Sequence, residues 1–422
     1  MKKFLVTLIL AAFILRLLVI FIGYHGDLNN NISWGRLAFE RGLINFYEAK
    51  EWPYSAPNQP PLTILTFWFL SGVWNLINTL SWFLNDKITI FPSGFIWFWE
   101  ERGMIFLIKL PFIIADFGIA WIIYKTLLSR GKFIAVGLSL LWLYNPVSWY
   151  NSSVWGQTDS MVNFLGLLAI YYLLSKKIVR FSLFFTLSIL FKGSLLIFVP
   201  ILIFFIFKMR YKVGDLFNSL GVCLLTVIFI TFWFHPFWDL FSWIIRLYQE
   251  RILPGEIDYL TVNAFNFWWL LDSGKVADST PFLGIQARII GYLITVFFIF
   301  IVLVINYKKI TKIKILFSLA VTAFTSFLFM TRIHERYLYP FFPLATILLG
   351  FVPSLVLPYT VLSFSHLINL YNLFWVPKFE FLEILLKTSW FAKLIVFVNI
   401  LLFVITFFVY LKTVREDKKP YT

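Results

Sequence analysis

Long apolar runs recur along the chain, most of them about 17 to 25 residues in length, and short polar segments separate them. A run of this length crosses a hydrocarbon core of about 30 Å as an α-helix, which rises about 1.5 Å per residue. Barrel strands would be shorter and would alternate apolar with polar side chains. The pattern therefore predicts membrane-spanning helices at about 4–22, 104–128, 132–150, 154–174, 180–207 (as two short helices), 214–234, 286–306, 313–330, 336–352, 353–372 and 389–411.

Composition supports the same interpretation. The 422 residues are 60% hydrophobic and 14% charged, and the mean hydropathy is +0.83. A soluble globular domain of this size is less hydrophobic and carries more charge. We therefore expect an all-α protein with one domain over residues 1–422, a polytopic membrane helix bundle of about twelve transmembrane helices. The one cysteine, Cys223, excludes an intrachain disulfide.

The net charge of +15 comes mostly from short basic clusters between the apolar runs. Such clusters mark the cytoplasmic ends of membrane helices, so they indicate topology and not a nucleic-acid partner. They predict that both termini are cytoplasmic. The clusters are Lys2 with Lys3, 129–132, 175–180, 208–212, 308–314 and the tail from residue 412.

The first apolar run resembles a signal peptide, but it is long and lacks a small-residue cleavage site, so we interpret it as an uncleaved first helix. Two long loops, about 23–103 and 235–285, then lie outside, and 389–422 forms the last helix and a basic cytoplasmic tail. The apolar stretch 61–84 must begin and end outside. Its polar and tryptophan residues favour an interfacial or re-entrant helix.

The same topology gathers the polar segments on the outer face. A transporter would instead place polar groups near the membrane midplane, on broken helices from two related halves, and the sequence shows no internal repeat. The outer polar segments are 24–31, 56–62, 151–160, Lys192, 234–239, 263–269 and 332–336.

Several acidic and basic residues have both a structural and a functional interpretation. Asp27 suits a general base or, as composition favours, the cap of an amphipathic surface helix. Asp116 lies deep in an apolar run, where structural pairing and function are equally open. We expect nearby Lys109 to extend its amine toward the membrane surface. In the second long loop, Arg246 and Arg251 suit contacts with lipid phosphates.

The outer cations are candidates for binding an anion. Lys192 is expected where two short helices meet, either as a surface lysine or as an anion ligand. Arg332, His334 and Arg336 offer donors suited to phosphate, and Glu335 can orient one of them. The alternative is an ordinary charged loop. The histidines are scattered, so no metal site is indicated, and we expect no cofactor while leaving a divalent metal open.

The order of motifs resembles the GT-C superfamily of polytopic glycosyltransferases that use lipid-phosphate sugars. It is most similar to prokaryotic relatives of the mannosyltransferase of the GPI-anchor pathway. The motifs are GD after the first run, QPPL, KLPFIIAD, NPVSWYNSSVWGQTDS, FKGS and RIHERYLYPFFP. The resemblance implies a GT-C-type fold with amphipathic helices in the first outer loop.

The resemblance also implies roles for individual residues. It makes Asp27 the catalytic base, against the cap interpretation, and gives Asp159 a catalytic role beside the substrate. The remaining assignments are Lys192, His334, Arg336 and Arg332 for the donor phosphate, and Trp155, Gln157, Glu335, Asn58 and Gln59 for the lining of the substrate site.

The implied activity is inverting transfer of a hexose, such as mannose, from a polyprenyl-phosphate or dolichyl-phosphate donor. The acceptor would be a lipid, a glycan or a protein at the outer face of a prokaryotic plasma membrane. The alternative is a transporter, flippase or polymerase of lipid-linked saccharides, because such a substrate needs the same cations. Membrane lipids are expected partners in either case.

Overall fold

The computed structural model describes residues 2–253 and 257–416, so the end of the expected basic tail, 417–422, lies outside the described residues. The helices are α1 (Lys2–Val19), α2 (Gly26–Arg41), α3 (Pro61–Lys87), α4 (Ser93–Phe98), α5 (Met104–Leu127), α6 (Lys132–Tyr144), α7 (Pro146–Trp149), α8 (Asp159–Leu174), α9 (Ile178–Phe191), α10 (Val199–Met209), α11 (Val213–Thr231), α12 (Leu240–Leu247), α13 (Ala287–Ile305), α14 (Lys312–Phe329), α15 (Phe341–Leu349), α16 (Val356–Phe374), α17 (Glu380–Lys387) and α18 (Ser389–Glu416).

Shorter elements connect these helices. Strands β1 (Pro281–Phe282) and β2 (Ile285–Gln286) form a small antiparallel hairpin. Turns of π-helix cover Trp99–Gly103, Tyr150–Trp155 and Tyr248–Ile252, and turns of 3-10 helix cover Phe46–Glu48, Leu128–Arg130, Gly193–Phe198, Phe267–Leu270 and Pro353–Leu355. The all-α class expected from the apolar runs is therefore confirmed for the described residues.

The helices sort into a buried centre and an apolar periphery. Residues 314 to 328 of α14 are all buried, so this helix is covered on every side. By contrast, α11 and α13 expose large apolar side chains such as Phe217, Phe229 and Phe300. A soluble monomer rarely exposes apolar surface of this extent, whereas a helix that faces lipid does so as a rule.

Six helical stretches of the described residues are long and apolar enough to cross a membrane, fewer than the twelve expected. They are Pro61–Lys87, Ser93–Arg130, Val213–Thr231, Ala287–Ile305, Lys312–Phe329 and Ser389–Glu416. Several of the other expected spans correspond to shorter helices, although α1 and α16 have 18 and 19 residues. For example, α6 stops at Tyr144 because the side chain of Asn145 caps α7, and α15 has only nine residues.

The apolar stretch 61–84 lies within one continuous helix, α3, and not in a pair of shorter helices. The indole N–H groups of Trp74 and Trp99 each donate to the other residue's carbonyl at 3.2 Å, which packs α3 against the start of the stretch Ser93–Arg130. That stretch of 38 residues is about 57 Å long, well beyond a hydrocarbon core of about 30 Å. α3 is itself among the six stretches that are long and apolar enough to cross a membrane, so its interfacial position stays a prediction.

The run 180–207 is broken at the expected place. The helix α9 ends at Phe191, Lys192 has an extended backbone, and a 3-10 turn then leads into α10. The hydroxyl of Thr63, in the first turn of α3, donates a hydrogen bond to the carbonyl of Phe191. The break therefore lies beside the start of α3, and Lys192 stands at the junction of the two helices.

A buried ion pair joins α1 to α5. The Nε of Arg16 lies 3.0 Å from Oδ2 of Asp116, and both side chains are fully buried. The same carboxylate accepts hydrogen bonds from Ser152 at 2.6 Å, Ser160 at 2.8 Å and the hydroxyl of Tyr339 at 3.2 Å. Asp116 thus connects four separate segments of the chain. This arrangement supports a structural ion pair over a functional role, the two interpretations that the sequence left open.

Replacing Asp116 with Ala should destabilise the fold by about 3 to 5 kcal/mol, because Arg16 then remains buried without a counter-charge. Thermal unfolding of the purified protein, followed by size-exclusion chromatography, measures this. The double variant Arg16→Leu/Asp116→Leu should lose less stability, since it buries no charge. The exposed pair of Asp86 with Lys87 provides the control, for which Asp86→Ala should be nearly neutral. Equal losses for Asp116→Ala and Asp86→Ala would contradict a central role for Asp116.

Candidate active site

Several segments that are distant in sequence meet around one cavity of about 320 Å³. They come from the start of α2, the segment before α3, the Lys192 junction, the stretch after α12 and the loop between α14 and α15. The lining residues are Asp27, Asn30, Ser55, Asn58, Gln59, Pro60, Lys192, Gly193, Ser194, Arg251, Ile252, Leu253, Ile257, His334, Arg336 and Tyr337.

Asp27 lies inside the first turn of α2 and does not cap it. The N-cap is His25, whose Nδ1 accepts a hydrogen bond from the backbone N–H of Asp27 at 3.1 Å. The Asp27 carboxylate is therefore left to face the cavity, where Oδ2 accepts a hydrogen bond of 2.6 Å from Nε2 of Gln157. A carboxylate in the first helical turn also interacts favourably with the helix dipole.

The surroundings of Asp27 keep its side chain ionised. Burial opposes the charged form, but the positive charge of Arg336 and the hydrogen bond from Gln157 favour it, and the pKa of Asp27 lies below its usual value. Nδ1 of His25 lies 3.4 Å from Oδ2 of Asp27. Without a ligand, Asp27 is thus a stable anion and a weak proton acceptor.

Gln157 is positioned by a turn that follows the π-helical segment Tyr150–Trp155. Both Gly156 and Gln157 donate backbone N–H groups to the carbonyl of Asn151 at 3.0 Å. Gly156 adopts φ of +82°, which favours glycine, and a Cβ there would lie 3.0 Å from the Lys109 side chain. The glycine in the WGQ motif therefore lets the chain turn so that Gln157 reaches Asp27.

Lys109 does not extend to the membrane surface, and that expectation was wrong. Its side chain is fully buried, and Nζ donates to the carbonyls of Ile20 at 2.7 Å, Gly23 at 3.2 Å and Val154 at 2.8 Å. These carbonyls are close to the end of α1 and to the π-helical segment, where the helix leaves acceptors unsatisfied. Lys109 thereby fixes both segments that carry the groups around Asp27.

Asp159 lies behind two cations of the cavity. Its Oδ1 is 2.8 Å from Nζ of Lys192, and its Oδ2 is 3.8 Å from Nε of Arg336. The Asp159 side chain is only 4% exposed and does not line the cavity, whereas Lys192 and Arg336 do. Asp159 is thus placed to hold the two cations, and not to touch a molecule in the cavity.

Glu335 also backs Arg336. Its Oε1 lies 2.6 Å from Nη1 of Arg336, and its side chain is fully buried. Burial raises the pKa of Glu335, and the charge of Arg336 partly offsets this. The guanidinium of Arg336 lies over the buried ring of Trp155, with Cζ 5.9 Å from the ring centroid. Glu335 and Trp155 therefore shape the cavity through Arg336, from behind the lining residues.

His334 is held neutral rather than cationic. Burial, together with the charges of Arg336 and Lys192, holds the pKa of His334 well below its usual value. It can therefore exchange hydrogen bonds with a ligand but adds no positive charge. The backbone of His334 forms bridges to Val262 and Asn263, which fixes this loop against the second long loop.

Arg332 forms a separate pair away from the cavity lining. Its guanidinium contacts both carboxylate oxygens of Asp278, at 2.7 and 3.1 Å, and Thr331 also donates to Asp278 at 3.0 Å. Its backbone N–H donates to the carbonyl of Tyr259 at 3.1 Å. These contacts give Arg332 the role of an anchor that fixes the loop carrying His334 and Arg336.

Arg251 lines the cavity, although the sequence suggested only a lipid contact. Its Nη1 is buried and has no hydrogen-bond partner among the residues that the structure describes. Arg246, on the same helical stretch, is exposed and pairs with Asp239 at 3.2 Å. Sequence alone offers no signal that separates the two arginines, because the difference depends on how α12 packs.

The charges of the site form two layers. Three cations, Lys192, Arg251 and Arg336, line the cavity together with the carboxylate of Asp27. The carboxylates that balance Lys192 and Arg336 stand behind them and outside the lining. A buried Arg or Lys beside an open cavity favours an anionic ligand, and a carboxylate beside that ligand suits a proton acceptor. The arrangement therefore suits an anion bound next to a reacting hydroxyl group.

No protein-family model matches the chain, and no curated protein is significantly similar to it. Within residues 2–253 and 257–416, no group of three or more His, Cys, Asp or Glu side chains is placed to hold a metal ion. The function is therefore inferred from the chemistry of the cavity.

Replacing Gly156 with Ala should destabilise the protein by about 1 to 2 kcal/mol, because alanine tolerates a positive φ poorly and its Cβ would press on Lys109. The thermal unfolding midpoint of the purified variant measures this. Gly137→Ala is the matched control, since Gly137 lies in α6 with open space around it, and this variant should be neutral or slightly stabilised. A Gly156→Ala midpoint equal to that of the control would show that the turn is not constrained as described.

Proposed function

We propose that this protein is an integral membrane glycosyltransferase of the GT-C type, which transfers a hexose from a polyprenyl-phosphate sugar to an acceptor. One observation carries the proposal: Asp27 shares a cavity of about 320 Å³ with the three cations Lys192, Arg251 and Arg336. The cations suit the phosphate of the donor, and Asp27 suits the hydroxyl group of the acceptor. The motif resemblance supports the same assignment.

The proposal includes a membrane topology. The basic clusters would be cytoplasmic, the cavity would open at the outer face, and the shorter helices would complete about twelve crossings. The apolar surfaces of α11 and α13 support a lipid environment. The cavity lies at the ends of α9 and α14 that are opposite to the basic segments 175–180 and 308–314, which agrees with that orientation.

The proposed reaction is a direct displacement at the anomeric carbon of the donor. The acceptor oxygen forms a bond to that carbon, and the bond from the carbon to the phosphate oxygen breaks with its electron pair. The proton of the acceptor hydroxyl passes to Asp27. Polyprenyl phosphate leaves with an additional negative charge, which Lys192, Arg251 and Arg336 stabilise more in the transition state than in the ground state. A single displacement inverts the anomeric configuration.

The low pKa of Asp27 suggests how donor binding prepares the site. Part of the lowering comes from the positive charge of Arg336. A donor phosphate beside Arg336 would neutralise that charge, which raises the pKa of Asp27 and makes it a better proton acceptor. The base would therefore gain strength when the donor is bound, which limits activation of a hydroxyl group in an empty site.

The cavity also fits the size and the mixed character of such a donor. A volume of about 320 Å³ lies at the lower end of the range for small-molecule sites, which suits a hexose phosphate without its lipid. Ile252, Leu253 and Ile257 provide an apolar part of the wall. In this proposal the polyprenyl tail leaves the cavity past these side chains.

Replacing Asp27 with Asn should lower sugar transfer by about 10² to 10⁴-fold, because the amide cannot accept the proton of the acceptor. The protein should still fold, since the two side chains have nearly the same shape. Transfer of labelled sugar from polyprenyl-phosphate sugar in membranes measures this. Asp86→Asn, at an exposed pair near the end of α3, is the control and should keep full activity. Full activity of Asp27→Asn would rule out Asp27 as the base.

Replacing Arg251 with Gln should raise the KM for the donor about tenfold or more, the loss expected for one charge-assisted hydrogen bond. Arg246→Gln is the matched control on the same helical stretch, because Arg246 is exposed and pairs with Asp239. Initial rates over a range of donor concentrations measure both variants. Equal KM values for the two variants would exclude Arg251 from the donor site.

A further inference from the structure

A second concentration of charge lies at the far ends of the helices that lead to the candidate active site. There, a pocket of about 340 Å³ is lined by the five cationic side chains of Lys176, Lys208, Arg210, Lys308 and Lys309, and by Tyr307. Following the chain from this pocket, α9 leads to Lys192 and α14 leads to the loop that carries His334 and Arg336. The pocket is therefore separate from the cavity described above.

The five cations come from three different connections. Lys176 lies between α8 and α9, Lys208 and Arg210 lie at the end of α10, and Lys308 and Lys309 lie between α13 and α14. The positive-inside rule explains why each connection is basic, but it does not require the side chains to converge on one concave site. Convergence of like charges costs free energy by repulsion, which a bound anion relieves.

Another basic connection of the same kind is arranged differently. In the segment 129–132, the Nε of Arg130 donates to the carbonyl of Gly350 at 3.2 Å, and its guanidinium lies over the ring of Phe351. Arg130 is thus used in a contact within the protein. The pocket differs from this segment because its cations come from three connections and line one concave site.

The backbone also brings two of the cations to the pocket. Lys176 and Arg210 both adopt a left-handed conformation, with φ of +56° and +52°, just after α8 and α10. Helix ends of this kind usually carry glycine or asparagine. The sequence instead keeps a long basic side chain at both positions.

The single aromatic side chain among the lining residues is already engaged. Nζ of Lys208 lies 3.8 Å from the centroid of the Tyr307 ring, a close cation–π contact. The ring is therefore covered and is poorly placed to stack on a nucleotide base. None of the residues that the structure describes in the lining is acidic, so every charged side chain that faces a ligand there is positive.

We propose that this pocket binds the phosphodiester headgroup of an anionic phospholipid. In the membrane topology proposed above, its location at helix ends places it at the cytoplasmic boundary, where basic pockets between helices bind acidic headgroups. Its volume leaves room for a glycerol or second phosphate beside the first. A bound headgroup would contact all three basic connections and so hold together the ends of α8, α10 and α13. This inference does not depend on the reaction assigned to the other cavity.

The test uses the full-length protein in nanodiscs of neutral phosphatidylcholine with a small fraction of spin-labelled phosphatidylglycerol. The unmodified protein should hold a motionally restricted population of the labelled lipid, and the variant Lys208→Gln/Arg210→Gln/Lys308→Gln should lose most of it. The matched control, Lys125→Gln/Arg130→Gln/Lys132→Gln, removes one cation from the end of α5 and two from the segment 129–132, and should retain that population.

A milder variant, Lys308→Gln/Lys309→Gln, changes only exposed side chains and covers the case in which the triple variant fails to fold. It should weaken retention at least severalfold. Equal retention by this variant and by the control would overturn the proposal. Binding of soluble glycerol phosphate by the protein in neutral nanodiscs, with no restricted population of the labelled lipid, would assign the pocket to a soluble phosphate and would overturn the lipid assignment.

Discussion

The carboxylate of Asp116 accepts hydrogen bonds from Arg16, Ser152, Ser160 and Tyr339 in the middle of an apolar helix bundle. An ionised group in such a place is costly unless it is paired and hydrogen-bonded, so these partners must stay together for the fold to form. They belong to α1, to the segment before α8, to α8 itself and to the loop before α15. The constraint therefore fixes the loop before α15, which carries Arg336, and the two segments that carry Gln157 and Asp159, which contact Asp27, Lys192 and Arg336.

Buried ion pairs and hydrogen bonds also hold the charged side chains of the candidate active site in position. Lys109 satisfies carbonyls at the end of α1 and in the π-helical segment, Asp159 holds Lys192 and Arg336, and Glu335 holds Arg336 from another side. Lys192 and Arg336, which line the cavity, are thus fixed in position before a ligand binds. Fixed charges in a site with little water stabilise a developing negative charge without further rearrangement, which is what the proposed leaving phosphate requires. Arg251 differs, because it forms no ion pair with the described residues, although Nη1 of Arg251 and Nε of Arg336 are both buried without a hydrogen-bond partner among them.

Sequence patterns predicted the parts of this structure that depend on local chemistry. The length of the apolar runs predicted the all-α class, and basic residues on both sides of 180–207 predicted the break at Lys192. The positions of the polar segments also anticipated which residues meet, since Asn58, Gln59, Lys192, His334 and Arg336 all line the cavity with Asp27. Their chemical roles remain predictions.

Features that depend on packing between distant segments could not be predicted in this way. The buried position of Lys109 depends on carbonyls from two other segments, and the partner of Arg332 is Asp278, more than fifty residues away. The length of α15 and the continuity of α3 likewise depend on neighbours and not on local hydropathy. Arg246 and Arg251 look alike in sequence, and only the fold separates an exposed pair from a cavity-lining side chain.

The most direct measurement of the central claim is to incubate the purified protein with a panel of polyprenyl-phosphate sugars and a crude acceptor fraction, and to quantify free polyprenyl phosphate and transferred sugar together. The account predicts that at least one donor is consumed, that the two products appear in equal amounts, and that the sugar is attached with inverted anomeric configuration. A donor that binds or moves between leaflets with its bond from sugar to phosphate intact would contradict the account and would indicate transport of a lipid-linked saccharide.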